Sequence, residues 1–302
     1  MKKLLILLIL PLLLIPPAAH SQAFTDVDVQ TGPNSWNTSP GILSLPASYP
    51  GSSTRYPLII FFHGAGEASS SRNDALLMQT GLPQLINGGQ VPKAINPVDG
   101  REYEFIVLAP QHSYFSFGVD NSQMSFYYML NWAIANYRID TTRIYLTGLS
   151  SGAQSTIEAV VWDDVFAKRI AAIYPISLTN LGMGGQRPID SIPQVGKRYK
   201  VKSWTVVGSN DTYINGVNPY QISQTYNDLY NSTNPSPLGI RTIIAGANHS
   251  PATWNTAYDK NWGSNSNNTV AKNMYEWFLQ YQQGGTPPPP ASNVQLFMLI
   301  KN

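Results

Sequence analysis

The chain has 302 residues, a formal net charge of +2 and only 12% charged side chains, with no basic stripe to meet a nucleic acid. It contains no cysteine, which excludes a thiolate metal site, a cysteine nucleophile and a lipid-modified cysteine. Four histidines, one of them in the N-terminal leader, leave too few ligands for a histidine-based metal cluster, and no cofactor is implied.

The first element is the leader "MKKLLILLILPLLLIPPAAHSQAF". Two lysines, a short leucine-rich run and small residues at its end read as a signal peptide over residues 1–23, cut after Ala23 or after Ser21. The run is too short for a comfortable membrane span, Pro11 interrupts it, and no later stretch is long and apolar enough. The expectation is an exported chain, secreted or periplasmic, with no membrane segment after cleavage. A chain of this length can bury enough core to dispense with disulfides. Its abundant Asn, Ser, Thr, Tyr and Trp suit a neutral surface compatible with carbohydrate.

Residues 24–55 supply an expected antiparallel edge, with "GILSLPASY" as a strand ending in a turn. Buried strands then start at Tyr56, Phe105, Arg143, Arg169, Val201 and Ile240, each nearly continuous in apolar residues. Helical patterns lie between them at 74–85, 122–136, 152–162 and 220–230, with a last one at about 269–282. The alternation predicts one α/β domain over 24–283, built on a mostly parallel, doubly wound sheet with helices on both faces. From Gly284 the character changes to "GGTPPPP", a stiff linker, and then to a tail too short to fold alone. Residues 284–302 therefore read as linker plus a truncated module, with "VQLFMLI" pairing on a sheet edge as the alternative.

The chemistry concentrates at Gly148-Leu149-Ser150-Ser151-Gly152, a G-x-S-x-G turn between a strand and a helix. Small neighbours let such a turn hold the Ser150 hydroxyl up at the sheet edge. A serine nucleophile needs a base, and the base needs an orienting acid; on this kind of turn both follow the serine in the chain. Only His249 follows Ser150. Of the acids between them, Glu158, Asp163, Asp164 and Asp228 fall on helices or their ends. Asp211 comes directly after a buried strand and is favoured; Asp190, in an expected loop, is the second choice. "HGAGE" after the first buried strand offers backbone N–H groups for an oxyanion: Ala65 is favoured, Gly64 and Gly66 are alternatives, and Ser151 supplies the other donor. His63 precedes Ser150 and is expected to brace this loop. Glu67 either fixes the loop or is solvated.

Together "YPLIIFFHGAGE", "VLAPQ", "IDTTRIYLTGLSSGA", "VVGSNDTYI" and "NMYEWFLQYQQ" resemble the secreted carboxylesterase/phospholipase-like branch of the α/β-hydrolases. That branch includes poly(3-hydroxybutyrate) depolymerase-like, feruloyl-esterase-like and predicted peptidase members. The resemblance covers most of residues 40–282. It implies an α/β-hydrolase sheet without a large lid, a Ser150–Asp211–His249 triad, and the HGAG segment as oxyanion loop. Gln111 of "APQ" matches a position near the site in such enzymes, with a strand-end cap as its plainer role. Such enzymes often carry a tryptophan about three residues after the histidine; here Trp254 stands further on, which leaves its part in shaping the pocket open.

The function expected is exported hydrolysis of carboxylic esters through an acyl-enzyme, with esters on polysaccharide as a candidate substrate. A serine peptidase or polyhydroxyalkanoate depolymerase on the same site, and a catalytically silent binding module, are the alternatives.

Overall fold

A computed structural model describes residues 24–113, 123–181 and 188–284 of the chain. The leader, Ser122 at the start of an expected helix, and the tail beyond Gly284 lie outside the described residues. In chain order the strands are β1 (Phe24–Gln30), β2 (Thr38–Ser44), β3 (Tyr56–Phe62), β4 (Lys93–Ile95), β5 (Glu102–Glu104), β6 (Ile106–Pro110), β7 (Ile139–Leu149), β8 (Ala172–Ile176), β9 (Lys202–Gly208) and β10 (Ile240–Ile244). The helices are α1 (Asp74–Leu77), α2 (Gly81–Asn87), α3 (Gln123–Asn136), α4 (Ser151–Trp162), α5 (Asp164–Ala167), α6 (Pro188–Lys197), α7 (Pro219–Asn231), α8 (Pro251–Tyr258) and α9 (Met274–Leu279).

Eight strands form one sheet in the order β1-β2-β6-β3-β7-β8-β9-β10. β1 and β2 pair antiparallel, as do β2 and β6; every pairing from β6 onward is parallel. The antiparallel edge thus falls within residues 24–55 and the doubly wound parallel body follows. Buried on both faces, β3 has no exposed residue and reads as an unbroken apolar run. Its side chains alternate: Leu58, Ile60 and Phe62 enter the core under α3, α4, α6 and α7, whereas Ile59 and Phe61 enter the core under α2, α8 and α9.

Several elements differ from expectation for local reasons. The helix expected over 74–85 is two helices, because Gly81 adopts a left-handed φ of 66° and Thr80 before it is extended. A side chain at Gly81 would collide with Leu149. The last helix is shorter than 269–282. Asn273 caps it with a reciprocal capping box to Glu276, and Asn265 and Asn268 spend their side chains on turns just before it. Asp190 lies in the first turn of α6 rather than in a loop, and α8 and the β4–β5 hairpin had no clear signal.

The end of the described chain is tied down. Gln283 donates its backbone N–H to Thr142 O (2.9 Å), and its amide to Ile170 O (2.9 Å) and Tyr199 O (2.8 Å). Among the described residues no helix is long and apolar enough to cross a membrane.

Candidate active site

β7 ends at Leu149 and α4 begins at Ser151, so Ser150 is the whole connection. Its φ of 55° and ψ of −121° lie outside the usual range for a side-chain-bearing residue, a strain of about 1–3 kcal/mol. Neighbouring backbone holds it there: Ser150 N–H donates to Ile176 O at the end of β8 (2.9 Å). The flanking glycines are required. A Cβ on Gly148 would strike the Gly152 carbonyl, and a Cβ on Gly152 would strike the Phe62 carbonyl. β3, β7 and α4 therefore pack backbone to backbone at the point where the serine is presented.

The parallel strands carry the other groups to the same sheet edge. Asp211 follows β9 and His249 follows β10. His249 Nε2 lies 2.9 Å from Ser150 Oγ, and Nδ1 lies 3.0 and 3.2 Å from the two Asp211 carboxylate oxygens. A carboxylate only accepts, so Nδ1 carries the proton and donates to Asp211, which leaves the Nε2 lone pair facing the Ser150 hydroxyl. Asp211 is buried, and its loop is closed by Tyr220 N–H donating to Asp211 O (2.8 Å). Asp190, the second choice, is exposed on α6 and has no part in this constellation.

The H-G-A-G-E loop follows β3, whose last residue pairs with Gly148. Gly64 lies against Leu149, so this loop and the serine turn touch. Ala65 is exposed, and Ser151 opens α4, where the first N–H groups have no acceptor within the helix. His63 is fully buried behind the loop. Its Nε2 accepts from His112 N–H (3.2 Å), so Nδ1 is protonated and donates to Gly64 O (2.6 Å). Burial pulls its pKa down to about 4, and the imidazole is neutral near pH 7. The His112 ring stacks on it at 4.4 Å; burial and the neighbouring His63 lower its pKa to about 2. Glu67 is buried rather than solvated, and burial raises its pKa.

Two residues expected to touch substrate have other partners. Gln111 has no exposed surface. Its amide donates to Glu67 O (3.0 Å) and Asn73 O (3.1 Å), and its oxygen accepts from Asn73 N–H (2.7 Å). It ties Glu67, midway along the loop between β3 and α1, to Asn73 at the loop's end, the plainer of its two expected roles. Trp254 is buried on α8 and stands perpendicular to His249, with ring centroids 5.1 Å apart. It reaches the histidine despite the longer spacing, because α8 folds the chain back within its first turn. Sequence reasoning missed His112 and Ser177; their types carry no motif, and only the fold brings His112 against His63 and Ser177 against Trp254.

Among the described residues no group of three His, Asp or Glu side chains could hold a metal ion. The arrangement offers a hydroxyl, a base with an oriented tautomer, a buried carboxylate and a small-residue loop at one strained turn. Those are the parts of nucleophilic acyl transfer.

No protein-family model matches the chain, and no curated protein matches it in sequence. Solved structures do. A thermostable esterase is similar at 19% identity and a TM-score of 0.57, over 86% of this chain; the match spans only 63% of that protein's length. A ferulic acid esterase from Anaeromyces mucronatus, solved with ferulic acid, is similar at 15% identity and 0.56, over 86% of this chain and 90% of the other. The feruloyl esterase module from Clostridium thermocellum, complexed with sinapinate, gives 15% and 0.52, over 86% and 88%. With its mostly parallel sheet, and without a large lid among the described residues, this chain has the α/β-hydrolase fold.

Proposed function

We propose that the protein is an exported serine hydrolase of carboxylic esters, acting on acyl groups esterified to polysaccharide. The observation that carries the reading is the unbroken chain from Ser150 Oγ through His249 to Asp211, presented on a left-handed turn. Ser150 Oγ attacks the ester carbonyl carbon while His249 Nε2 takes its proton. The oxygen that becomes negative is met by the N–H groups of Ala65 and Ser151, with Gly64 shaping the loop. The adduct collapses, Nε2 protonates the leaving alcohol, and the acyl group remains on Ser150. Water then enters and gives a proton to Nε2 as its oxygen adds to the acyl carbon; the second adduct collapses, Nε2 returns that proton to Ser150 Oγ, and the acid leaves. Asp211 keeps the tautomer and stabilises the imidazolium throughout. No metal or cofactor takes part. The ester assignment is supported by feruloyl esterases among the structural neighbours, the polysaccharide by a neutral composition rich in Asn, Ser, Thr, Tyr and Trp, and export by the leader.

The test is hydrolysis of acetyl, butyryl, octanoyl and feruloyl esters, beside a peptide anilide, with and without EDTA. Ester turnover that survives EDTA, with fluorophosphonate labelling of wild type and not of Ser150→Ala, is expected. Turnover restricted to the anilide, or lost in EDTA and restored by a divalent cation, overturns it.

A further inference from the structure

We propose that Ser177 and Trp254 form one positioning device for His249, holding its imidazole in line with Ser150. The inference rests on the hydrolase reading above and adds two residues to it. α8 starts two residues after His249, and three successive side chains fix its first turn. Thr253 Oγ1 donates to Asn248 O (2.6 Å), Trp254 Nε1 donates to Ser177 Oγ (3.1 Å), and Asn255 Oδ1 accepts from Gly81 N–H (2.8 Å). The middle one stands against the histidine, its ring at 87° to the imidazole.

Ser177 is an unusual acceptor. It is fully buried directly after β8 and holds a left-handed φ of 54°, almost the same as Ser150. A side-chain-bearing residue is rarely found there, and such outliers persist where the surroundings over-determine them. Ser177 N–H donates to Val206 O on β9 (2.8 Å), and the carbonyl just before it, Ile176 O, is the one that holds Ser150 N–H. One strand end thus fixes the nucleophile and, one residue later, the indole that walls the base. A base displaced by a fraction of an ångström loses its line to the nucleophile while substrate binding is untouched.

The test compares wild type with Ser177→Ala, Trp254→Phe and the double variant, with Ser150→Ala as reference. Trp254→Phe keeps a ring and loses the indole N–H; Ser177→Ala loses the acceptor. Each single variant is expected to lower kcat about tenfold with KM within about twofold, at an unchanged fold by circular dichroism. The double variant is expected to be no worse than either single, because the pair acts as one unit. The downfield proton resonance of His249 Nδ1 should broaden in all three. If Ser177→Ala folds poorly, Ser177→Gly relieves the left-handed backbone while still removing the acceptor, and carries the same expectation. Retained kcat, multiplying losses in the double variant, or a loss confined to KM overturns the inference while an active wild type leaves the hydrolase reading standing. A wild type that neither turns over esters nor takes the fluorophosphonate overturns both.

Discussion

The two faces of the sheet are built from different materials. Under α3, α4, α6 and α7 the core is mainly aliphatic, with Leu58, Ile60, Ile144, Leu146, Ile157 and Val160. Under α2, α8 and α9 it holds every buried tryptophan (Trp204, Trp254, Trp262 and Trp277), together with Tyr145, Tyr174, Tyr258, Tyr275 and Phe278. Aliphatic packing gives free energy without direction. Buried tyrosines also bring polar ends that need partners, and here three of those ends tie α8 and the chain after α9 to the strands. Tyr174 OH donates to Ala257 O (3.0 Å), Tyr258 OH meets Thr147 Oγ1 (2.8 Å), and Tyr145 OH donates to Tyr281 O (2.9 Å). The serine turn is mounted between β7 and α4, where glycine-to-backbone contact already fixes it. The histidine sits on a loop, and the aromatic face supplies the direction it lacks.

The largest expected effect breaks the line between the two faces. Ser150→Ala should lower kcat by about 10⁴–10⁶ while the thermal transition barely moves, measured by ester turnover and calorimetry on one sample. A residual rate above about a hundredth of wild type contradicts the assignment. A second pair contrasts the faces directly. Leu146→Ala should cost about 2–5 kcal/mol of stability by urea unfolding, yet keep kcat within about threefold at a temperature where it is folded. Tyr258→Phe should cost only about 1 kcal/mol but lower kcat more than Leu146→Ala does, because α8 loses a tie to β7. Equal kcat values for the two variants would remove the directional role of the aromatic face.

Acid should act through the histidines behind the H-G-A-G-E loop. His63 titrates near pH 4 when folded and near 6.5 when unfolded, so between those values the unfolded chain binds more protons. Stability is therefore full above about pH 6.5 and falls progressively toward pH 4. The loss from this residue is on the order of 3 kcal/mol, and His63→Gln should flatten that part of the unfolding curve. A slope unchanged by the substitution contradicts it. The smallest effect sharpens the boundary. A chain ending at Gly284 should match the full chain in melting temperature and rate. A chain ending at Gln280 loses the three Gln283 bonds and the Tyr281 carbonyl that Tyr145 needs, and should melt several degrees lower.

Much of this was legible because each signal had a local cause. Six core strands and the turn at Ser150 follow from apolar runs ending in small residues. His249 follows from elimination, since no other histidine lies after Ser150. Asp211 follows from its place just after a buried strand. What stayed hidden depended on contacts between distant segments. Nothing in "YPIS" marks Ser177 as left-handed, because its conformation is set by Val206 and Trp254. The break at Gly81 rests on a left-handed φ in a glycine packed against Leu149, nearly seventy positions away. Gln111 matched a position near the site, but its type could not say that its amide would be consumed by the backbone of Glu67 and Asn73. α8 escaped notice because its buried residues, Thr253, Trp254, Ala257 and Tyr258, make no strong apolar stripe.

The Gln283 anchor also sets how the molecule can be attached to anything else. Its three partners, Thr142, Ile170 and Tyr199, all precede or open strands whose far ends carry the site. From Thr142 to Leu149 along β7 is about 20 Å. Whatever is joined beyond residue 284, whether a neighbouring module, an affinity handle or a solid support, pulls from the end of the sheet opposite Ser150. Ser150 then lies at the end away from the tether, so an immobilised form keeps the strand ends that carry Ser150, Asp211 and His249 turned outward.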